Sequence, residues 1–253
     1  MKWIGCACVG LVLFLAGPGW TQADEPKLTA KQILDKVDDL YRGKSSYARM
    51  TMKVVTEHWT REMKIEGWSK GKEKSLMRIL SPRKEKGTAT LKSGDNIWNY
   101  LPKVKRVIKV PSSMMGGSWM GSHFTNDDLI KESRMADDYD FKVSFEGKRK
   151  GLEVSEVTCI PKVDAAVVWG KVVVLVRTED LQPLTVAYYD EDMELARTMT
   201  FSQFKTMSGR LLPSVMRMVP TDKPDEFTEF SYNEIEFDIE LKDSKFSLRN
   251  LQR

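Results

Sequence analysis

Residues 97–129 decide the fold, and they read I-W-N-Y-L-P-K-V-K-R-V-I-K-V-P-S-S-M-M-G-G-S-W-M-G-S-H-F-T-N-D-D-L. The spacing predicts two short strands, 97–101 and 104–110, because side chains alternate on both sides of Pro102 and a proline ends a regular strand. Pro111 ends the second strand. The residues that follow it have neither a strand period nor a helix period.

Residues 112–124, called the flap below, combine three glycines with three methionines, a tryptophan and a phenylalanine. A soluble domain rarely leaves so many large apolar side chains on an irregular segment unless they cover another apolar surface. Residues 125–129 then predict a helix start, with a capping side chain followed by acids in the first turn. We therefore interpret the flap as a mobile apolar cover that is joined to a sheet.

The first 23 residues have the pattern of a cleaved signal peptide. Lys2 precedes an apolar run at 4–16, and a small-residue cleavage site follows at 21–23. The apolar run is shorter than the about 20 residues that a membrane-spanning helix needs, although an uncleaved anchor is the alternative. The sequence thus predicts an exported chain, with a signal peptide at 1–23 and a single domain at 24–253.

Charge and cysteine content restrict the class of protein. The 253 residues carry a net charge of +4, and removing residues 1–23 lowers it to +3. Both signs are interspersed, which is typical of a soluble surface and predicts no nucleic-acid partner. Only Cys159 lies beyond the signal peptide, so no intramolecular disulfide can form. An exported chain without disulfides favours the bacterial periplasm, and we expect a monomer that is held by its own core.

The rest of the chain alternates at period two. A first helix is predicted at 28–42, from a capping box of Thr29 and Gln32, an apolar stripe and Gly43 as C-cap. Strands are predicted at 47–55, 61–70, 75–80, 87–92, 139–147, 151–160, 165–177, 183–189, 194–204, 211–219 and 227–237. The apolar run at 165–177 predicts a strand that is buried on both faces.

A single antiparallel sheet of this width must twist and curl. With only two helical segments beside it, the pattern predicts a mostly β (α+β) fold. Its architecture would be an incomplete antiparallel β-barrel, or half-barrel, with helices and the flap covering a hydrophobic cavity.

The sequence offers little for catalysis. His58, His123 and one cysteine do not form a zinc-ligand spacing, and no phosphate-loop or dinucleotide motif occurs, so we expect no catalytic residue, no metal and no cofactor. Ser118 with His123 and Asp127 is a hydrolase alternative. The nucleophile-elbow motif, however, has glycine two residues after its serine, where this chain has Met120.

Apolar binding is the stronger prediction. Methionine adapts to variable apolar partners, and methionines concentrate in the first strands and in the flap, although those in the strands fit an ordinary core equally well. A cavity of this kind suits acyl chains, because each buried CH₂ contributes about 0.8 kcal/mol. The predicted lining consists of Met50, Met52, Met63, Ile65, Trp98, Tyr100, Met114, Met115, Trp119, Met120 and Phe124.

Two motifs resemble those of the LolA-like, outer-membrane lipoprotein-sorting family. They are W-N-Y-L-P at 98–102, followed by Lys103 and Arg106, and M-G-S-H-F-T at 120–125, which runs into D-D-L at 127–129. The resemblance covers essentially all of the chain after the signal peptide. It implies an incomplete β-barrel with a closed hydrophobic cavity and no catalysis. In the family's lipoprotein carrier an arginine holds the closed lid, and no motif assigns that role here.

For function, the resemblance implies a periplasmic carrier of lipid or lipoprotein acyl chains that sorts cargo toward the outer membrane. An inner-membrane transporter and an outer-membrane acceptor would be its partners. The alternative is a non-catalytic accessory module of an inner-membrane (RND-type) transporter, which would dock through Lys103, Lys105 and Arg106. A serine hydrolase is the second alternative.

Overall fold

The computed structural model describes residues 27–131, 138–165 and 167–253. The predicted signal peptide at 1–23 lies outside the described residues. Within them the chain folds into one antiparallel sheet of 13 strands with three α-helices. None of the helices in this part of the chain is long and apolar enough to cross a membrane.

Each strand pairs with the strands that precede and follow it in sequence, with two exceptions: the first strand pairs with the last, and the sixth and seventh strands do not pair with each other. Their bounds are β1 (Ser45–Val55), β2 (Thr60–Lys70), β3 (Lys74–Ser81), β4 (Ala89–Ser93), β5 (Asn96–Leu101), β6 (Arg106–Lys109), β7 (Tyr139–Arg149), β8 (Leu152–Pro161), β9 (Lys171–Arg177), β10 (Pro183–Tyr189), β11 (Leu195–Met207), β12 (Arg210–Pro220) and β13 (Phe227–Phe237). The order across the sheet is β6-β5-β4-β3-β2-β1-β13-β12-β11-β10-β9-β8-β7. Because β6 and β7 are its two edges, the sheet is open, and the predicted half-barrel is confirmed.

Most strand ends lie within three residues of their predictions, and β9 differs most: the predicted strand begins at residue 165, whereas β9 begins at Lys171. A Cβ atom on Gly170, just before β9, would lie 2.4 Å from the backbone oxygen of Asp190, so only glycine fits there. Burial also alternates along β9, with its even-numbered residues buried and its odd-numbered residues half-buried. The prediction of burial on both faces is therefore wrong, since α1 packs on one face of the sheet only.

Helix α1 (Ala30–Arg42) covers the half of the sheet that ends at β7. Its predicted capping box is confirmed: the Thr29 hydroxyl accepts from the Gln32 backbone N–H, and the Gln32 side chain accepts from the Thr29 backbone N–H. Gly43 ends the helix at φ 59°, a left-handed conformation that favours glycine. Ala30 and Ile33 pack against buried side chains of the strands on this side, namely Val157, Cys159, Val172, Val174, Val176 and Val186.

The C-terminal segment lies on the outer face of the other half of the sheet. A 3₁₀ turn (Asp243–Phe246) and helix α3 (Leu248–Leu251) bury Phe246 and Leu251. Both side chains pack against a cluster from β2 to β6 that includes Trp68, Leu76, Ala89, Leu91, Trp98, Tyr100 and Val107. This cluster is separate from the apolar layer under the flap.

Helix α3 offers a matched pair of leucines for a test of this packing. Leu251 is fully buried, whereas Leu248 is 44% exposed. We expect Leu251→Ala to lower the free energy of unfolding by about 2 kcal/mol, the lower end for a buried leucine, because the chain end can detach locally. Leu248→Ala should change it by less than about 0.5 kcal/mol. Chemical denaturation measures both, and equal effects would contradict the assigned packing.

Candidate functional site

The flap lies over the inner face of β1, β2, β3 and β13. Trp119 is 2% exposed, and together with Met120 and Phe124 it packs on a wall of buried side chains. That wall comprises Met52, Val54, Met63, Ile65, Ile79 and Phe230, with Met50, Met77 and Met216 at its margin. The apolar space between flap and sheet is thus occupied by the flap's own side chains.

Aromatic contacts fix how the flap is inserted. The Trp119 ring stacks on Phe230 with centroids 6.3 Å apart, and Phe124 meets the same ring edge-on at 5.4 Å. The Trp119 indole Nε1 donates to Thr90 Oγ1 at 3.1 Å, so its polar atom is satisfied inside the apolar layer. Such pairs contribute about 0.5–1.5 kcal/mol beyond the area they bury.

The flap has a defined backbone, although its sequence has no regular period. Ser118 and Thr125 form an isolated antiparallel bridge that closes the loop around Trp119. The Asn126 side chain donates to two flap carbonyls, those of Met114 (3.2 Å) and Gly117 (3.1 Å). The predicted helix start is confirmed as α2 (Asn126–Lys131), in which Asp128 and Thr125 cap each other.

Arg197 of β11 ties the end of the flap to the half of the sheet that α1 covers. Its Nη2 lies 2.5 Å from Asp128 Oδ1 and its Nη1 2.9 Å from Oδ2, and Nη1 also donates to the His123 carbonyl. The guanidinium carbon lies 4.4 Å from the ring centroid of Trp169 and 4.5 Å from that of Tyr188, and these two rings contact each other at 5.3 Å. A bidentate pair this well covered, at 7% and 16% exposure, joins flap and sheet strongly while both partners are present.

His123 makes a second polar connection, to β13. Its backbone N–H and its Nδ1 both lie within 3.0 Å of the hydroxyl of the buried Thr228, and its Nε2 is 3.2 Å from Glu226 Oε2. The hydrogen bond from His123 lowers the pKa of the Glu226 carboxyl, and the Glu57 backbone N–H lowers it further. Glu226 therefore stays ionised against the flap at neutral pH.

Arg61 of β2 makes a third connection. Its Nη2 donates to the Met120 carbonyl, and its Nη1 lies 3.6 Å from Glu85. Met120 and Gly121 have φ values of 51° and 68°, so the chain makes a left-handed turn that directs the Met120 carbonyl at the arginine. Polar contacts thus hold the flap at three places on its rim, and apolar contacts fill its centre.

The structure brings together seven of the eleven predicted lining residues. Met50, Met52, Met63, Ile65, Trp119, Met120 and Phe124 belong to one cluster. Trp98 and Tyr100 do not, because they point to the outer face and pack against the C-terminal segment, so their predicted position beside the flap is corrected. Met114 is 60% exposed and Met115 is half-buried at the outside of the flap.

Ser118 and His123 are not arranged as a catalytic pair. The Ser118 hydroxyl donates to the Ser122 carbonyl, and both ring nitrogens of His123 face Thr228 and Glu226. Burial raises the pKa of the Cys159 thiol to about 12, so this cysteine remains protonated at neutral pH. Among the described residues no group of three or more His, Cys, Asp or Glu side chains could bind a metal ion.

Sequence reasoning missed the residues that hold the flap, above all Arg197. One signal was available, because Arg197 shares the alternation phase of Met199 and Phe201 in β11, and a cation among apolar positions needs a partner. Its partner Asp128 is recognisable only as a helix cap. Lys103, Lys105 and Arg106, predicted as a docking site, are exposed at the β5–β6 hairpin.

Comparison with known proteins places these features in context. A protein-family model described as "-like: Uncharacterized protein" matches residues 71–253, more than half of the chain. No curated protein matches the sequence. Among solved structures, an outer membrane lipoprotein-sorting protein domain from Vibrio parahaemolyticus is 26% identical with a TM-score of 0.75, and the match covers 88% of this chain and 100% of that one.

Two further solved structures share the fold. A DUF1329 family protein from Desulfovibrio piger is 22% identical, with a TM-score of 0.78 over 88% of this chain and 99% of that chain. A LolA superfamily protein from Nitrosomonas europaea is 21% identical, with a TM-score of 0.75 over 88% and 100%. The open half-barrel is therefore a shared architecture.

Removing the Arg197 guanidinium should loosen the flap. We expect Arg197→Gln to raise hydrogen exchange of the Trp119 indole and of flap amides at least about tenfold relative to β1 amides, since breaking a buried pair costs about 3–5 kcal/mol. The control is Arg217→Gln, because Arg217 also pairs with a carboxylate, Glu229, but its side chain is 45% exposed and its contacts are with Glu229 and Phe227 of β13. Equal exchange in both variants would contradict the role of Arg197.

Proposed function

We propose that the chain, which belongs to the family whose model matches residues 71–253 and shares its fold with an outer membrane lipoprotein-sorting protein domain and a LolA superfamily protein, is a periplasmic carrier of acyl chains. In this proposal residues 1–23 are a signal peptide, residues 24–253 form one carrier domain, and the cargo is a lipid or lipoprotein. The observation that carries it is a methionine-rich wall covered by an irregular flap, not by a regular helix or strand.

The cargo would bind where the flap's own side chains now lie. An acyl chain that displaces Trp119, Met120 and Phe124 would meet the unbranched thioethers of Met52 and Met63, which adapt to a flexible apolar ligand. The same side chains that close the empty protein would then cover its ligand. We propose the seven clustered residues as the binding site, with Met50, Met52, Met63 and Ile65 on the sheet and the other three on the flap. Trp98, Tyr100, Met114 and Met115 lie outside it.

The free energy gained by burying a long acyl chain exceeds the free energy needed to open the flap. Burying a chain of about 16 carbons gains on the order of 12 kcal/mol before ordering costs. Opening the flap separates the Arg197–Asp128 pair, whose two charges water then solvates, and exposes three apolar side chains at a cost of about 1.5–3 kcal/mol each. A long acyl chain therefore supplies enough free energy to open the flap, whereas a short one does not. Arg197 would hold the closed lid through its contacts with Asp128 and the His123 carbonyl.

A second function, as a non-catalytic accessory module of an inner-membrane transporter, is favoured by a different observation. The space under the flap is filled by protein side chains, so the fold is complete without cargo. In that function the flap would be a fixed part of the core, and docking would use Lys103, Lys105 and Arg106. The two functions differ in whether acyl probes bind and whether the flap opens.

Acyl-probe titration of the exported protein separates them. We expect a fluorescent fatty acid of about 16 carbons to bind, and one of half that length to bind at least about a hundredfold more weakly, because affinity follows the number of buried CH₂ groups. Arg197→Gln should tighten binding by up to about a hundredfold, since more molecules have an open flap. Arg217→Gln should leave affinity unchanged.

The outcome against carriage is equally specific. If neither the unaltered protein nor Arg197→Gln binds the long probe, and lipid extraction of the exported protein recovers none, then the wall is an ordinary core. The accessory function would then be the surviving proposal.

A further inference from the structure

The β5–β6 hairpin has an unusual charge distribution. No acidic residue occurs between residues 96 and 126, in a chain where acidic and basic residues are otherwise interspersed. Lys103, Lys105, Arg106 and Lys109 of the hairpin are all exposed. Across the described parts of the chain, no acidic side chain forms an ion pair with any of the four, whereas most other cations of β1 to β3 have carboxylate partners.

Large aliphatic side chains are exposed on the same hairpin. Leu101, Val104 and Ile108 are 37%, 59% and 47% exposed, and Met114 at the start of the flap is 60% exposed. Ile108 pairs with Asn99, whose side chain accepts from the Thr90 hydroxyl that receives the Trp119 indole N–H. By alternation, Ile108 and Leu101 therefore lie on the flap side of the sheet edge.

We propose that this hairpin, together with Met114, is a docking surface for an anionic lipid bilayer. The side chains of Lys103, Lys105 and Arg106 would lie among the phosphate headgroups while Leu101, Val104, Ile108 and Met114 enter the interface, and Lys109 lies over the Trp98 ring on the outer face. Basic residues next to a modest apolar surface are the chemistry that interfacial segments use to bind anionic membranes. The proposal goes beyond acyl-chain carriage and stands or falls independently of it.

A bilayer fits the hairpin better than a protein partner does. Protein interfaces rely on aromatic and arginine anchors in packed pockets, and the two aromatic residues of this hairpin, Trp98 and Tyr100, point to the outer face and are covered by the C-terminal segment. The exposed residues are instead three lysines, one arginine and several aliphatic side chains at the edge of the sheet, without an exposed aromatic residue among them. A fluid surface needs no matching shape, only negative charge and an apolar layer.

The β7–β8 turn provides a matched control, because it is also basic. Lys148, Arg149 and Lys150 occupy it, but Lys148 and Arg149 pair with Glu153 and Glu156. Lys150 has φ 50° and Lys105 has φ 52°, so a substitution at either position meets the same backbone strain. The double variants Lys103→Glu/Lys105→Glu and Lys148→Glu/Lys150→Glu therefore change net charge equally and differ in location.

The experiment is co-flotation of the exported protein with vesicles of phosphatidylglycerol mixed with phosphatidylcholine, and of phosphatidylcholine alone. We expect binding to the anionic vesicles that weakens with salt, and at least about tenfold weaker binding for Lys103→Glu/Lys105→Glu. Lys148→Glu/Lys150→Glu should bind as the unaltered protein does. Val104→Ser should also weaken binding, while Val163→Ser, at a fully exposed valine elsewhere, should not.

Several results would overturn the proposal. These are equal binding by the two charge-reversed variants, equal binding to neutral and anionic vesicles, or no binding at all. If vesicles do not bind but Lys103→Glu/Lys105→Glu loses a pull-down of an inner-membrane protein, the hairpin is a protein interface instead. Acyl-probe affinity should be the same in both charge-reversed variants, so failure of docking and failure of carriage are distinguishable.

Discussion

The inner face of an open 13-stranded sheet must be covered, because its buried side chains would otherwise expose a broad apolar surface to water. Two different layers cover it. Helix α1 covers the β7 half with a continuous apolar stripe on a regular hydrogen-bonded scaffold. The flap covers the β1–β3 half with three side chains on an irregular loop. A 13-residue helix is stabilised along its whole length, whereas the flap depends on what holds its rim.

Polar contacts at that rim give the flap two distinct states. A buried ion pair contributes little relative to an apolar alternative, yet breaking it by removing one partner is costly. The Arg197–Asp128 pair therefore acts less as a source of stability than as a contact that is either fully made or fully lost. The His123 contacts with Thr228 and Glu226 share this property, because a partly detached His123 would leave a buried hydroxyl unsatisfied. In the proposed function we therefore expect closure of the flap to be cooperative.

Local sequence signals predicted the fold well, whereas the site was predicted only in part because it depends on contacts between residues far apart in the sequence. The capping box at Thr29 and Gln32 and the strands at 183–189 and 227–237 match the structure at both ends, since caps and period-two alternation depend on neighbouring residues. Alternation also showed that Trp98 and Tyr100 share a face. It could not show which face, because the C-terminal segment that covers them lies more than 140 residues away.

The pairing of Arg197 with Asp128 has the same origin. The two residues are 69 positions apart, and the local sequence around either one does not predict the other as its partner. Asp128 is explained as a helix cap whether or not an arginine reaches it, so the local interpretation was complete and still omitted the contact that matters most. A charged residue in the apolar phase of a strand is the sequence feature that deserves a search for a distant partner.

Because the basic hairpin lies next to the flap, a surface that binds the hairpin would face the flap side of the half-barrel. β6 ends at Lys109 and the flap begins at residue 112, so a surface bound to the hairpin would lie beside the segment that opens. A contact shifts the balance of the flap only if it binds the open state more tightly than the closed one. Met114 belongs to both the flap and the proposed docking surface. Its side chain is exposed at the start of the flap, and its carbonyl accepts a hydrogen bond from the Asn126 side chain in the closed state. Insertion of Met114 into an apolar interface would compete with that hydrogen bond, and cargo exchange would then be favoured at a membrane over open water.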